Sequence, residues 1–243
     1  MITLYQFAPT WGVPNLGQFN VKVETYLRMT KLPYKVIETL PLKGPKGKLP
    51  YIDDEGETIS DSRFIIEYLK EKYGDTLDKD LNTEEQAIMV AMQRLLEDSL
   101  YWVGMYTRWQ YTDENWQANK KAIFGGMPPV IRDIAALVYR KMIIGKQIYG
   151  QGTGRHKADE IFHLGKVDLD ALSAFLAEKP YFMGDKPTSL DACAFGILIN
   201  MIRVPIESPV KEHALNLKNL TAYCDRMMEE FWLFPISWGR HYM

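Results

Sequence analysis

The apolar pattern of this chain changes its period once, near Gly74, and that change limits the folds open to it. Up to Gly74, stretches that alternate like β-strands are interleaved with stretches that repeat every three or four residues, as amphipathic helices do. Beyond Gly74 only the helical repeat continues. We therefore predict an α/β domain at residues 1–75, a linker at 76–82 and an all-helical domain at 83–243.

Within the first domain, the pattern predicts strands at Ile2–Phe7 and Tyr34–Glu38 on either side of a helix over 21–31. A right-handed crossover would make these two strands parallel neighbours. The turn residues at 54–57 separate two short β-stretches and predict a hairpin that adds antiparallel strands. A helical stripe follows and ends at Gly74.

The second domain is predicted to contain one long helix followed by shorter ones. Thr83 begins the long helix, and Gln86 three residues later completes a capping-box pattern. Prolines and a glycine-rich stretch separate the later helices, which are predicted near 114–122, 129–149, 157–178, 188–203 and 216–231.

Charge and composition exclude several classes of protein. The 243 residues carry 29 Lys and Arg against 31 Asp and Glu, whereas proteins that bind nucleic acid usually carry a basic surface. The longest apolar run, Ala192–Ile199, is far shorter than the ~20 residues of a membrane span, and no signal-peptide pattern opens the chain. Cys193 and Cys224 permit no disulfide framework and no cysteine-rich zinc site. We expect a cytoplasmic protein without a nucleic-acid partner or a membrane span.

The stretch 48–69 carries the residues that bear most directly on function. Pro50 begins a hairpin strand, where a cis bond costs little and would turn the Leu49 backbone outward as an edge for a peptide ligand. Ser62 stands at a helix start, where its hydroxyl, the free amides and the helix dipole favour a carboxylate, and Asp61 beside it would meet an ammonium group. These residue types also serve as ordinary N-caps and strand starts.

This stretch resembles the second half of the thioredoxin-like domain of glutathione transferases, with Pro50, Asp61 and Ser62 at the family's spacing. In the helical half, Gly184 with Thr188 and Asp191 resembles the capping motif of that family's central helix. The two motifs lie about 120 residues apart, so the resemblance spans the chain. It implies the glutathione-transferase fold, an α/β thioredoxin-like domain followed by an all-α domain.

The resemblance also implies glutathione as co-substrate. The γ-glutamyl end of glutathione carries an amine and a carboxylate on one carbon, which matches Asp61 and Ser62. The implied glutathione-binding residues are Lys48, Leu49, Pro50, Asp61 and Ser62.

The beginning of the chain looks like one branch of the superfamily, the failed-axon-connections and metaxin-like proteins. The resemblance lies in Trp11–Met29, Leu32–Tyr34 and Gly44–Tyr51. The loop before Pro50 is short and leaves little room for the helix that helps other transferases bind the glycine carboxylate of glutathione. Lys46 and Lys48 are candidates to supply that charge, or they are solvated loop lysines.

Transferases of this fold activate the thiol with a Tyr, Ser or Cys near the end of the first strand or the start of the first helix. Here that position reads Gly17-Gln18-Phe19-Asn20, which excludes a catalytic cysteine there. Raising the thiolate fraction from ~3% to about 75% at pH 7 takes a shift of about two pKa units, roughly 2.7 kcal/mol. A helix N-terminus with one or two donors can supply this.

Three side chains are candidates for the thiol-activating role: Asn15, Asn20 and Tyr5. Asn15 with Gln18 also has the pattern of a capping pair, and Tyr5 that of a sheet residue.

The second substrate is expected to be small and hydrophobic or electrophilic. Trp102, Tyr106 and Trp109 fall at helical spacing and form either a wall of its pocket or part of the core. Arg108 beside them is available to an acidic substrate or is solvated. The glycine-rich stretch 150–154 lacks the ending of a phosphate-binding loop. No metal is expected, since ligand spacing is absent at His156, His163, His213 and His241.

The resemblance therefore implies a homodimeric enzyme that conjugates glutathione to an electrophile or uses it to reduce a disulfide. Catalysis would rest on thiolate stabilisation and proximity, without a covalent enzyme intermediate. Two alternatives remain open: a protein that binds glutathione without turnover, and a scaffold that keeps the fold but not the ligand.

Overall fold

The computed structural model describes residues 1–233, with the side chain of Leu42 left out of the description. Four strands form one sheet in the order β2-β1-β3-β4. β1 and β2 are parallel, and β3 runs antiparallel to both β1 and β4, which confirms the predicted parallel pair and hairpin. The strands are β1 Ile2–Gln6, β2 Tyr34–Glu38, β3 Tyr51–Asp54 and β4 Glu57–Ser60.

Two helices accompany the sheet, α1 at Gln18–Met29 and α2 at Ser62–Tyr73. α2 ends at Gly74, whose φ of +89° suits a glycine. α1 is buried along almost its whole length, and Lys22 and Glu24 are buried with its apolar residues. This helix therefore has no broad solvent face.

The helical part begins with a continuous rod from Thr83 to Tyr111, in which α-helical turns alternate with wider π turns. The rod contains α3 Thr83–Arg94, a π turn at Leu95–Leu100, α4 Tyr101–Tyr106 and a π turn at Thr107–Tyr111. The helices after it are α5 Asp113–Phe124, α6 Pro129–Val138, α7 Gly145–Gln151, α8 Ala158–Leu176, α9 Ser189–Ile202, α10 Pro209–Asn216 and α11 Lys218–Phe231. A further π turn, Tyr139–Ile144, joins α6 to α7, and short 3-10 turns lie at Pro41–Lys43 and Thr153–Arg155.

Two details differ from the sequence predictions. The capping box of α3 is formed by Asn82 and Glu85, not by Thr83 and Gln86, because Asn82 is the N-cap and Thr83 is already the first helical residue. An Asn side chain caps as well as Thr. α10 is a helix that was not predicted from the sequence, although Ser208 followed by Pro209 is an ordinary helix start.

The capping box at Thr188 and Asp191 is confirmed. The Thr188 N–H donates to Asp191 Oδ2 at 2.8 Å, and the Phe182 N–H donates to Oδ1 at 2.9 Å. Burial raises the pKa of the Asp191 carboxyl, and these donors act in the opposite direction.

The predicted domain boundaries fall between α2, which ends at Tyr73, and α3, which begins at Thr83. The predicted end of the helical domain, residue 243, lies outside the described residues. A single apolar core includes side chains from both halves, such as Leu27 of α1 and Phe195 of α9. α1 therefore belongs as much to the core of the helical half as to the sheet.

The two halves meet most closely where α1 lies on α9. A Cβ placed on Gly196 would stand 2.5 Å from the backbone oxygen of Gln18 and 3.0 Å from the backbone nitrogen of Lys22. Only glycine permits this approach, because backbone atoms cannot move aside as a flexible side chain can. Gly196 therefore sets the distance between α9 and the first turns of α1.

Among the described residues, no single helix is both long enough and apolar enough to cross a membrane. Asp113–Phe124 and Pro129–Gln151 meet that requirement only as a pair, with a bend of 115° between them.

Replacing Gly196 with Ala is expected to lower the free energy of unfolding by about 1–3 kcal/mol, because α1 and α9 must separate to admit the methyl group. Urea denaturation measures the change. Gly104→Ala is the matched control in another helix, since its Cβ would meet nothing nearer than 3.8 Å. We expect that control to be neutral or slightly stabilising. Equal losses in the two variants would contradict the close-packing account.

Candidate functional site

The entry to β3 carries the first group of candidate binding residues. The Leu49–Pro50 peptide is cis, and Pro50 is buried while Lys48 is exposed. Leu49 precedes the strand, and in the described part of the chain its N–H and C=O have no backbone partner. This backbone edge can therefore pair with the main chain of a peptide-like ligand.

The start of α2 carries the second group. Asp61 is the N-cap, and its carboxylate accepts the Arg63 N–H at 3.1 Å. Its φ of +83° lies where a non-glycine residue is strained, a conformation that recurs at functional sites. Ser62 is the first residue of the helix and is only 5% exposed. The first turn of α2 thus presents amides and a hydroxyl beside an exposed carboxylate.

Charged side chains surround the start of α2. Lys46 Nζ donates to the Ser60 backbone oxygen at 3.3 Å and lies 4.7 Å from the centre of the Phe64 ring. Lys46 is therefore held beside this helix start, and its role at the glycine carboxylate of glutathione stays a prediction.

Glu97 joins two further cations nearby. It accepts from Lys22 at 2.5 Å and from Arg63 at 3.2 Å. Lys46, Lys22 and Arg63 together outnumber the carboxylates Asp61 and Glu97, so the local charge favours an anionic ligand group.

The two cysteines lie in the core. Cys193 and Cys224 are buried, and neither forms a disulfide. Burial raises the pKa of both thiols well above the usual range, which keeps them neutral. Their positions agree with the exclusion of a cysteine nucleophile from the thiol site.

The structure brings Asn15 and Asn20 together. Asn15 Oδ1 accepts from Asn20 Nδ2 at 2.9 Å and from the Gly17 N–H at 3.0 Å, while Asn15 Nδ2 donates to the Phe7 oxygen at 2.5 Å. Both side chains are fully buried. In this arrangement the two amides fasten the loop before α1. Of the side-chain N and O atoms of Asn15 and Asn20, Oδ1 of Asn20 alone is buried without a hydrogen-bond partner among the described residues.

Tyr5 is placed apart from this pair. Its ring stacks on Tyr51 across the β1–β3 ladder, with ring centres 4.3 Å apart and planes within 7°. Burial raises the pKa of Tyr51, and the neighbouring Tyr5 acts in the same direction. The thiol-activating role of Tyr5, Asn15 and Asn20 stays a prediction.

The first turn of α1 has a feature that side-chain reasoning missed. Gly17 is the N-cap and supplies no side-chain hydrogen bond, and the N–H groups of Gln18 and Phe19 have no hydrogen-bond partner in the described part of the chain. Two amide donors at the positive end of a helix dipole stabilise an anion. The sequence signal for these open amides was Gly17 at the N-cap position, where Ser, Thr or Asp usually caps the first turn.

A cavity of about 270 Å³ opens at the carboxyl ends of β1 and β2. Its wall is apolar apart from one carboxylate and one hydroxyl, and it consists of Phe7, Ala8, Leu16, Glu38, Thr39, Leu40, Ala122 and Ile123. Leu16 belongs to the loop before α1, and Ala122 belongs to α5. The cavity therefore lies between the loop that leads into α1 and the helical half, and its size suits a small ligand.

Trp102, Tyr106 and Trp109 do not line this cavity. Trp109 is 4% exposed and packs on Trp116 and Tyr139 at ring distances of 5.6 and 5.7 Å, whereas Tyr106 packs on Phe162. Trp102 packs against the same apolar cluster as Trp109, whereas Tyr106 packs against the main core. Their role in binding a second substrate stays a prediction.

Arg108 is not solvated. It is 4% exposed and donates to the backbone oxygen of Leu16 at 2.7 Å.

Within residues 1–233, no group of three His, Cys, Asp or Glu side chains is placed to hold a metal ion. His241 lies outside the described residues.

Sequence comparisons agree with these observations. Profiles described as the glutathione S-transferase N-terminal domain and C-terminal domain match residues 18–115 and 165–227. An isoprene-epoxide–glutathione S-transferase from Rhodococcus sp. (strain AD45) is 36% identical over 95% of this chain and 99% of its own length.

Failed axon connections from Drosophila melanogaster is 34% identical over 95% of this chain, and metaxin-1 from Homo sapiens is 31% identical over 96%. The chain spans 58% and 51% of those two longer proteins. These similarities confirm the predicted resemblance to this branch.

Solved structures show the same fold. A glutathione S-transferase from Ceriporiopsis subvermispora in complex with glutathione superposes with a TM-score of 0.65 at 19% identity, covering 96% of this chain and 98% of that one. A β-etherase from Sphingobium sp. strain SYK-6 gives 0.64 at 18% identity, covering 97% and 96%. With the cis-proline strand entry, the α2 start and the profile matches taken together, this chain belongs to the glutathione S-transferase family.

Proposed function

We propose that this protein binds glutathione along the Leu49 backbone and the start of α2, and conjugates it to a small apolar electrophile in the cavity between β1, β2 and α5. The main support for the proposal is that the cavity lies next to the first turn of α1, whose amides are open. Leu16 lines the cavity and stands two residues before Gln18, whose amide is unpaired in the described residues. A thiolate held by that turn would face the second substrate.

The glutathione end of the site follows from charge and geometry. The α-carboxylate of the γ-glutamyl group fits the amides and hydroxyl at Ser62, where the helix dipole and the surplus of cations favour it. Asp61 is exposed and accepts the α-ammonium group. The main chain of the cysteinyl residue pairs with the Leu49 edge, in the manner of an added strand.

Conjugation then needs little covalent chemistry from the protein. The bound thiol loses its proton to water, and the amides of Gln18 and Phe19 stabilise the thiolate that remains. The sulfur attacks an electrophilic carbon in the cavity. With an epoxide, one C–O bond breaks, an S–C bond forms, and the alkoxide takes a proton from water. Epoxides are the electrophiles to test first, because a relative of similar length is an isoprene-epoxide transferase.

Binding without turnover is the second candidate function. Gly17–Asn20 contains no Ser or Cys, and the Asn15 and Asn20 amides are engaged with the loop and not exposed to a ligand. Reduction of disulfides by glutathione needs the same thiolate, and a disulfide substrate in the turnover assay distinguishes it from conjugation.

Replacing Ser62 with Ala is expected to weaken glutathione binding about tenfold, since a buried hydrogen bond to a carboxylate is lost. Isothermal titration calorimetry gives the dissociation constants. Thr58→Ala, at an exposed position of the neighbouring strand β4, is the control and should bind like the wild type. Unchanged affinity in the Ser62 variant would place the ligand elsewhere. No heat at millimolar glutathione with the wild type would contradict both candidate functions.

A bulky side chain in the cavity should impair use of the second substrate and leave glutathione binding unchanged. Ala122→Trp is expected to reduce turnover of a small epoxide such as 1,2-epoxybutane at least tenfold, because the side chain occupies the space of the electrophile. The affinity for glutathione should stay within about twofold, since its contacts are elsewhere. Lys121→Trp, the exposed neighbour on α5, is the control. Full turnover by the Ala122 variant would show that the electrophile binds in another place.

We further propose that the protein is a homodimer, supported by an apolar strip exposed along and just beyond α6. The strip is between 49% and 73% exposed at Val130, Ile131, Ile134, Leu137, Val138 and Met142. So large an exposed apolar surface usually marks an interface. Light scattering should give twice the 28.1 kDa of one chain.

Ile134→Glu should shift the particle to one chain, while Lys146→Glu, exposed on α7, should not. A wild-type monomer would contradict the dimer, and a dimeric Ile134 variant would contradict this interface.

A further inference from the structure

Arg108 is a buried cation with no carboxylate partner in the described part of the chain. Besides Leu16, its guanidinium donates to the backbone oxygen and to the side-chain Oδ1 of Asn200, each at 2.8 Å. Burial lowers the pKa of Arg108 to about 10, because the charged form loses its hydration. Apolar residues of similar volume would fill this space without the desolvation cost of a cation. The role of Arg108 is therefore to be found in the groups that its hydrogen bonds fix in place.

Asn200 extends the same network toward the N-terminal half. It lies on α9 and is 3% exposed, and its Nδ2 donates to the backbone oxygen of Asn15 at 3.0 Å and of Gly196 at 3.2 Å. The carbonyl groups of two successive residues are thus held by distant side chains: Asn15 by Asn200, 185 residues later, and Leu16 by Arg108, 92 residues later.

The guanidinium also contacts the beginning of that loop. Its carbon lies 5.4 Å from the centre of the Trp11 ring. Trp11 has a φ of +58°, which is unfavourable for a tryptophan, and it opens a tight turn closed by the bond from the Val13 N–H to the Thr10 oxygen. Arg108 therefore touches the loop near both ends, at Trp11 and at Leu16.

The loop carries what the site needs. Its Asn15 amide fastens Gly17 and Asn20 at the start of α1, and its Leu16 side chain lines the cavity. We propose that Arg108 and Asn200 are positioning residues that clamp the Trp11–Gly17 loop, and thereby hold the first turn of α1 and the Leu16 wall in the geometry that conjugation requires. This inference rests on the proposed function.

Hydrogen exchange tests the clamp itself, in the ligand-free protein. Arg108→Lys keeps the charge but loses the planar fork, and Asn200→Ala removes the bond to Asn15. Both variants should exchange the amides of the Trp11–Gly17 loop at least tenfold faster than the wild type, with unchanged exchange in the β1–β2 ladder. Arg94→Lys, on the exposed side of α3, is the matched control and should exchange like the wild type. Unchanged loop exchange in folded variants would overturn the proposal.

Steady-state kinetics test the consequence for the reaction. Arg108→Lys and Asn200→Ala should lower kcat with 1,2-epoxybutane about tenfold and change KM for glutathione less than about twofold, because the contacts at Leu49 and Ser62 remain. A purely structural role would lower the melting temperature and leave kcat unchanged in the folded fraction, and that result would overturn the proposal.

Failure of a variant to fold and failure of the proposed function can each be distinguished from failure of the clamp. If Arg108→Lys does not fold, as judged by circular dichroism, Asn200→Ala alone decides, since it leaves the cation and its bond to Leu16 in place. If the wild type and Arg94→Lys neither bind nor conjugate glutathione, the proposed function is contradicted. Loop exchange then still supports the clamp if it is faster in the variants and overturns it if it is not.

Discussion

The contact between α1 and α9 at Gly196 is the constraint on which the rest of the site depends. It brings the first turns of α1 so close to α9 that no side chain fits between them. The sheet positions α1 from one side and the helical half from the other, so its N-terminus is fixed relative to both. The loop, the cavity and the open amides of the first turn all take their places from that helix.

Charge is distributed to suit an anionic peptide. The start of α2 has a surplus of cations, and Asp61 supplies one exposed carboxylate for an ammonium group. The cavity is mostly apolar, and Glu38 is the one carboxylate among the described residues that line it. This distribution gives the charged co-substrate and the apolar substrate separate, neighbouring sites. Because the sulfur of glutathione is itself the nucleophile, the protein needs no nucleophilic side chain.

The fold could be predicted from the sequence because its signals are local. The strand-to-helix change at Gly74, the hairpin turn and the capping box at Thr188 each depend on neighbouring residues. The cavity wall could not be predicted, because it joins Leu16, the end of β2 and Ala122 of α5, which are far apart in the sequence, while the aromatic Trp109 packs in the core. The burial of Arg108 was also hidden, since its partners Leu16 and Asn200 are each 92 residues away.

We propose that the open first turn of α1 stabilises a glutathione thiolate without a Ser, Cys or Tyr side chain. The direct test is an ultraviolet titration of the bound thiol, with glutathione saturating the protein and thiolate absorbance followed against pH. The bound thiol is expected to titrate with a pKa of about 6.5, roughly two units below the ~8.5 of a free thiol. A bound thiol that still titrates near ~8.5 would contradict it.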